Sequence, residues 1–356
     1  MKKSFKYIVL SLVLLLGVNA PQAFAGNEDR SGQAGAAELL INPWAASAGW
    51  GNAGMSFVRG VEAIYGNVAG LSGIRSIDIN FTHTDWLKGS DLRISAFGLA
   101  ARVGESSVLG LSFMSFNIGE IMETTTESPD GGIGTFKPTL MNINLAFAKT
   151  FSNSISGGFN LKIISESISN MSCTGVALDA GIQYVTGPFD NIHFGITLKN
   201  IGPTMKFSGD GLSIKAFLLS TSNIQHTVIQ RVDQFELPTQ LSIAAAYDIH
   251  LAEMHRLTVA GNFISNSFTR DQFVGGLEYA WREYFQVRVG YTYEKGLFKG
   301  ILDQDCMNLN AGLNAGCSVQ VPISKNENAP MIAVDYAFRQ TYSYGGTHSF
   351  GARLIF

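Results

Sequence analysis

Phe285-Gln286-Val287-Arg288-Val289-Gly290-Tyr291-Thr292-Tyr293-Glu294 decides the fold. Apolar side chains occupy every second position, and polar or small ones fill the positions between them. That two-residue period sends all the apolar groups to one face of a strand. Met141, Ile143, Leu145 and Phe147 repeat the pattern against Asn142, Asn144, Ala146 and Ala148, as do Ile332, Val334, Tyr336 and Phe338 against Ala333, Asp335, Ala337 and Arg339. Further copies run over Val176 to Tyr184, Ile192 to Leu198, Leu241 to Tyr247, Leu257 to Phe263 and Phe273 to Trp281.

Working outward, the rhythm predicts roughly 14 strands, near 76–86, 91–103, 106–116, 139–151, 155–167, 172–186, 191–200, 239–249, 254–266, 271–282, 284–295, 307–321, 330–340 and 346–356. If the first strand runs outward, the long connections 117–138, 201–238 and 296–306 fall on one side, and most of those on the other side are tight. Pro322 to Ala329 is the longest exception. Long extracellular loops with short periplasmic turns are the habit of outer-membrane barrels. Aromatic residues expected at strand ends, namely Trp86, Tyr184, Tyr247, Tyr279, Trp281, Tyr284, Tyr342 and Tyr344, suit an interfacial girdle. A soluble sandwich would bury them, and it rarely runs past about 250 residues as one unit. The expected fold class is therefore all-β: a transmembrane barrel of about 14 antiparallel strands over 76–356.

Composition agrees. Only 15% of residues are charged while Gly numbers 39, which suits strands that meet lipid on one face. Lys2, Lys3 and Lys6 precede an apolar run from Tyr7 to Val18, then Ala23-Phe24-Ala25 and Gly26. Residues 1–25 read as a secretory signal peptide, because the apolar run is shorter than the roughly 20 residues of a spanning helix. Its loss takes three lysines and no acid, so a formal charge of −3 falls by three to −6, and nothing favours nucleic acid. Three cysteines, Cys173, Cys306 and Cys317, exclude a disulfide scaffold; Cys306 and Cys317 form at most one local bridge or stay unpaired.

The last strand carries Phe350, Ala352, Leu354 and Phe356 on one face, the form of the signal that barrel-assembly machinery recognises. No catalytic or metal constellation is visible: the six histidines are scattered, and only His250 and His255 are close in one turn. No cofactor is expected, and the chain is read as a non-enzyme. Asp179, Glu278, Arg288, Asp335 and Arg339 fall on the lumen side, where opposite charges should pair. Loop 117–138 carries Glu120 and Glu123 beside several glycines; loop 201–238 carries Met205, Phe207, Phe217, Leu218 and Leu219, which suggests a partner surface or a lid that folds back.

Residues 26–75 do not alternate. They contain Asn42-Pro43-Trp44, Trp50-Gly51-Asn52-Ala53-Gly54-Met55 and then Tyr65-Gly66-Asn67-Val68-Ala69-Gly70-Leu71. The last stretch resembles the Tyr-x-Asn-Pro-Ala-Gly-Leu box of the PorV/PorQ family. Tyr65, Asn67, Ala69, Gly70 and Leu71 match, and Val68 replaces the proline. Leu237-Pro238-Thr239 is a further similarity. The resemblance implies a FadL-like barrel with a short helical plug over 26–75, in the outer membrane of a Bacteroidetes-type Gram-negative cell. It also implies a type IX secretion component that binds translocon or attachment-complex proteins and secreted cargo through its extracellular loops. FadL-type hydrocarbon transporters carry a similar box. The alternative is therefore a passive transporter of hydrophobic small molecules, for which Gly275-Gly276 offers a possible strand kink. A general porin, usually larger and richer in lumenal charge, is the least favoured expectation.

Overall fold

The computed structural model of the protein describes residues 26–217, 225–297, 309, 312–324, 329–341 and 344–356. The expected leader 1–25, Leu218, Leu219, Tyr342 and Cys306 lie outside the described residues.

In chain order the strands are β1 (Ile77–Trp86), β2 (Leu92–Arg102), β3 (Ser107–Asn117), β4 (Ile121–Met122), β5 (Thr135–Phe136), β6 (Thr139–Thr150), β7 (Ile155–Ile168), β8 (Met171–Thr186), β9 (Ile192–Ile201), β10 (Ser213–Phe217), β11 (Gln225–Ile229), β12 (Gln240–Ala252), β13 (His255–Asn266), β14 (Gln272–Trp281), β15 (Phe285–Glu294), β16 (Gly312–Pro322), β17 (Met331–Arg339) and β18 (Thr347–Ile355). Fourteen of them form a closed antiparallel barrel, and β4–β5 and β10–β11 are two-stranded ladders in the long loops. Closure joins β1 to β18, from Asp78 opposite Ile355 to Asp85 opposite His348. A closed ladder leaves no edge of unpaired backbone groups in hydrocarbon.

Burial follows the alternation. The β8 segment from Cys173 to Tyr184 is a near-perfect succession of inward and outward positions. Outward positions hold Phe97, Leu111, Leu145, Phe159, Ile182, Ile196 and Leu277, all exposed. Inward positions hold Asn80, Ser112, Asn142, Asn160, Thr197, Asn262 and Ser318, all buried. The outer face is thus apolar and the lumen is lined by polar and small groups, as in a barrel immersed in lipid.

Several expectations need correction. Trp86 is 6% exposed and turns into the lumen, where it packs edge-on against Phe116 at 6.3 Å; it is no girdle residue. Tyr184, Tyr247, Tyr279, Trp281, Tyr284 and Tyr344 are exposed as expected. At Gly275-Gly276 β14 pairs in unbroken register with β13 and β15, so the glycines open no gap in the ladder. Of the strand expected over 307–321, the described part is Gly312–Pro322, and 307, 308, 310 and 311 lie outside the described residues. β12 runs on to Ala252 past a register shift after His250, so the turn expected over 250–253 is largely strand. A second shift, between Leu178 and Ala180 of β8, turns both Lys199 and Asn200 of β9 inward; Asn200 has φ +60° and donates its N–H to Asp179 at 2.8 Å.

Candidate functional site

Residues 26–75 form short helical turns packed inside the barrel. The turns Gly60–Ile64 and Val68–Gly73 pack against β1, β2, β3, β6, β7 and β8; Ala45–Ala48 packs against β16, β17 and β18; Ala53–Ser56 packs against β9, β12, β13 and β14. Trp44, Trp50, Val61, Ile64, Val68 and Leu71 are each less than 5% exposed, so the segment supplies much of the apolar core inside a largely polar wall. No helix among the described residues is long and apolar enough to cross a membrane.

The wall receives this segment at glycines. A Cβ on Gly290 would lie 2.1 Å from the Trp50 carbonyl oxygen, one on Gly316 2.8 Å from the Gly49 Cα, and one on Gly195 2.8 Å from the Ser56 Cα. These are backbone-to-backbone approaches that no side chain could relieve by rotating. They account for inward strand positions where glycine stands instead of a polar group, a signal that the sequence carried as composition and that was not read as contact.

The family box has a local physical meaning. Asn67 caps the turn Val68–Gly73 by accepting the Ala69 N–H at 3.2 Å, and its amide donates to the Ile182 carbonyl of β8 at 3.0 Å. Val68 stands at the first position of the turn, where proline is favoured. Here the Asn67 cap holds the turn without it, and Val68 is buried. Gly70 lies against the Val58 carbonyl, Leu71 is fully buried, and Ala69 is likewise enclosed. Tyr65 donates its hydroxyl to the Leu40 carbonyl at 2.7 Å, and the Lys199 ammonium sits 3.9 Å from its ring centre. The box is brought together as the joint between inner segment and wall.

The loop residues separate into two groups. Met205 is 2% exposed and packs with Leu237, Ala36 and Leu39 against Ile164, Cys173 and Ala177 of the wall, with Phe207 and Phe235 over them. That is the lid reading. Backbone pairs tie the lid in sequence: Ser172 with Ser208, Met205 with Phe235, and Gly35 N–H to the Glu236 carbonyl. Arg30 closes onto Glu236 and covers the Phe268 ring. Phe217, in contrast, is exposed on β10, and Glu120 and Glu123 are exposed beside the β4–β5 ladder. Phe350, Leu354 and Phe356 are all exposed on the outer side of the barrel.

At the opposite, short-turn end a cavity of about 520 Å³ lies between the inner segment and the wall. Its charges are largely paired. Arg288 Nε meets Glu278 at 2.5 Å; Arg256 meets Glu278 at 2.9 Å and Glu283 at 2.7 Å; Arg353 meets Asp335 at 2.6 and 2.7 Å. Beside it His193 Nε2 lies 3.1 Å from Asp248, and the His193 ring is tilted on Phe57. Lys162 pairs with Asp179 at 2.8 Å deeper in the lumen. The expected pairing of lumenal charges therefore holds for Asp179, Glu278, Arg288 and Asp335. Arg339 departs: it donates to the Asn42 carbonyl and lies 5.1 Å over the Trp86 ring, with no carboxylate partner among the described residues. Glu62, on the inner segment, accepts the Ser47 N–H at 2.8 Å, and its carboxyl is raised above the ordinary range, chiefly by burial. No group of three His, Cys, Asp or Glu able to hold a metal ion occurs among the described residues. His255 pairs with Tyr279 rather than His250.

Toward the long-loop end, the lumen beside β2 and β3 is apolar instead, and beside β7 the buried Ile164 stands between Lys162 and Glu166. Ile94, Met114, Phe116 and Ile164 point inward there and meet Leu39, Ile41, Trp44 and Ile64 of the inner segment. A cavity of about 30 Å³ sits in this region, with Glu38, Asn142 and Lys162 at its polar side.

No protein-family model matches the chain, and no curated protein matches it in sequence. Among solved structures it is similar to the CymD monoaromatic hydrocarbon channel, at 12% identity and a TM-score of 0.52 over 88% of this chain and 97% of that one. It is similar also to a FadL homologue of Pseudomonas aeruginosa, at 10% identity and a TM-score of 0.50 over the same shares. The PorV/PorQ resemblance finds no family match. What the likeness shows is the architecture: the chain has the fold of the FadL-type outer-membrane channels, a closed barrel of fourteen strands with short helical turns at its N-terminal side.

Proposed function

We propose that the protein is an integral outer-membrane channel that passes small hydrophobic molecules from the cell surface into the periplasm, without turnover, and that it is seen here with its lumen plugged. The observation that carries this reading is the apolar lining of one side of the lumen. It runs from Phe207 and Phe235 of the lid, past Leu39, to Trp44, Ile64 and the wall residue Met114. A water-filled porin would set polar groups at wall positions such as Ile94, Met114, Phe116 and Ile164, which here are apolar and buried. CymD, whose fold the chain shares, is a channel for monoaromatic hydrocarbons. Passage requires the lid and the turn Ala37–Leu40 to move together, which their shared hydrogen bonds through Glu236 and Gly35 would allow. The test is uptake of labelled toluene and labelled octanoate by cells with and without the chain. Uptake of either above the deletion background supports the channel, and none refutes it.

A second reading, a type IX secretion component that binds translocon or cargo through its extracellular loops, is favoured by one observation. The hairpin β10–β11 presents Ile214, Phe217 and Ile229 exposed, away from the lumen. Cargo that still reaches the surface of a deletion strain would remove it. Outer-membrane lipid, and barrel-assembly machinery reading Phe350, Leu354 and Phe356, are partners under either reading.

A further inference from the structure

The small cavity on the apolar side of the lumen has an unbalanced set of polar groups. Glu38 and Asn142 both reach it, each only 4% exposed. Glu38 Oε1 and Asn142 Oδ1 have no hydrogen-bond partner among the described residues, and the same holds for nearby Asn160 Oδ1 and Glu166 Oε1. All four are acceptors. The one cation at the cavity, Lys162, is engaged: its ammonium meets Asp179 at 2.8 Å and the Asn200 amide oxygen at 2.6 Å. Lys199 is turned to the Tyr65 carbonyl and ring. The fully enclosed side-chain atoms left without a partner at and beside this cavity are thus all acceptors, and two of them belong to carboxyl groups. Buried acceptors without donors are costly, and a ligand that brings donors recovers that cost.

We propose that this cavity is the head-group subsite for a small apolar molecule carrying a primary ammonium, with its hydrocarbon body along Ile41, Trp44, Ile64 and Met114. This rests on the channel reading above and names the class of molecule it takes. An ammonium offers three donors and a positive charge, which the Glu38 carboxylate and the Asn142 carbonyl can both meet. A carboxylate head would bring further acceptors and a second negative charge to the unpartnered Glu38 Oε1 and Asn142 Oδ1; a plain hydrocarbon would leave both unsatisfied. The cavity admits a head group of this size, and the body requires the lid movement that the channel already requires.

Burial, reinforced by the neighbouring charge of Glu166, pushes the Glu38 carboxyl up to about 7. The titratable and charged groups around it are Glu166 and Lys162 of β7 and Tyr65 of the inner segment. An ammonium should therefore bind better at pH 8, with Glu38 ionised, than at pH 5.5.

The experiment is calorimetry on the full-length mature protein in lipid nanodiscs at pH 8, titrated with hexylamine, hexan-1-ol and sodium hexanoate against empty nanodiscs. The expected result is hexylamine binding at least tenfold more tightly than the other two. In Glu38→Gln, hexylamine should fall to the affinity of hexan-1-ol while hexan-1-ol itself is unchanged. Glu38→Gln removes a charge that burial disfavours, so its folding is not at risk, and Asn142→Leu provides a second variant that should weaken hexylamine as well. Hexanoate or hexan-1-ol binding as tightly as hexylamine, or hexylamine unaffected by Glu38→Gln, overturns the head-group assignment and leaves the channel standing. Failure of all three to bind above empty nanodiscs overturns both.

Discussion

Replacing Gly290 by alanine tests the seating of the inner segment most directly. A Cβ at this position would stand 2.1 Å from the Trp50 carbonyl oxygen, 2.4 Å from its carbon and 2.7 Å from its Cα. Ordinary contact begins near 3.5 Å, so the two backbones must separate by about 1 Å or more. Overpacking of this kind costs about 1–3 kcal/mol. Because the obstructing atoms belong to the main chain and cannot rotate away, we expect about 3 kcal/mol, the upper end of that range. The natural control is one strand away. Gly275 has nothing within 4 Å of its Cβ position and faces outward, so Gly275→Ala should stay within about 0.5 kcal/mol of the parent. Urea unfolding in detergent, followed by tryptophan fluorescence, reads the stability; limited proteolysis reads whether residues 26–75 have come loose from a barrel that is still folded. If Gly290→Ala unfolds at the parent midpoint with its N-terminal segment equally protected, Trp50 is not seated on β15 and the packing described here is wrong.

Two further outcomes follow from the same structure. Ile196, near the middle of β9 on the outer face, should cost about 2–4 kcal/mol when replaced by arginine and measured in bilayers, and an unchanged stability there would mean that this face does not meet hydrocarbon. Glu38 binds its proton more tightly when folded, at about 7 against an ordinary 4.5, so its contribution is complete below pH 4.5 and disappears as pH rises through 7. The shift corresponds to about 3 kcal/mol. Protection of residues 26–75 from protease should therefore be greater at pH 5 than at pH 8, and Glu38→Gln should flatten that dependence; an equally steep profile in the variant would place the titration elsewhere.

The barrel was legible because its determinant is local. Each strand carries its own two-residue rhythm, and a lipid-facing wall needs nothing more to declare which side is out. Ends were displaced where the rhythm alone could not decide: His250 to Ala252 read as a turn but continue β12 after a register shift. Trp86 was misplaced because an aromatic at a strand end suits both a girdle and a lumen, and only Phe116 and Arg339 across the barrel decide between them. The same limit hid the site. Gly195, Gly290 and Gly316 lie among residues remote in sequence from the backbone atoms they admit, so single-strand patterns read them as weak points. Asn67 was identifiable as part of a box but not as a cap with a second bond into β8. Met205 and Phe217 look alike in one loop, yet one is buried against the wall and the other faces outward.

Intimate contact between main chain and wall glycines also bears on how such a molecule can be made. Trp44 and Trp50, 2% and 4% exposed, are bulky side chains to thread into a cylinder that has already shut. A wall that curls around N-terminal turns already in place would avoid that threading, and the β1–β18 seam is one place where turns and wall meet. Ala45 waits at that seam against Gly351, and Asp78 receives the Val61 N–H beside it. The stretch that obstructs passage in the finished molecule would then double as the mandrel on which the wall is wound, and shortening it should harm biogenesis before it touches permeability.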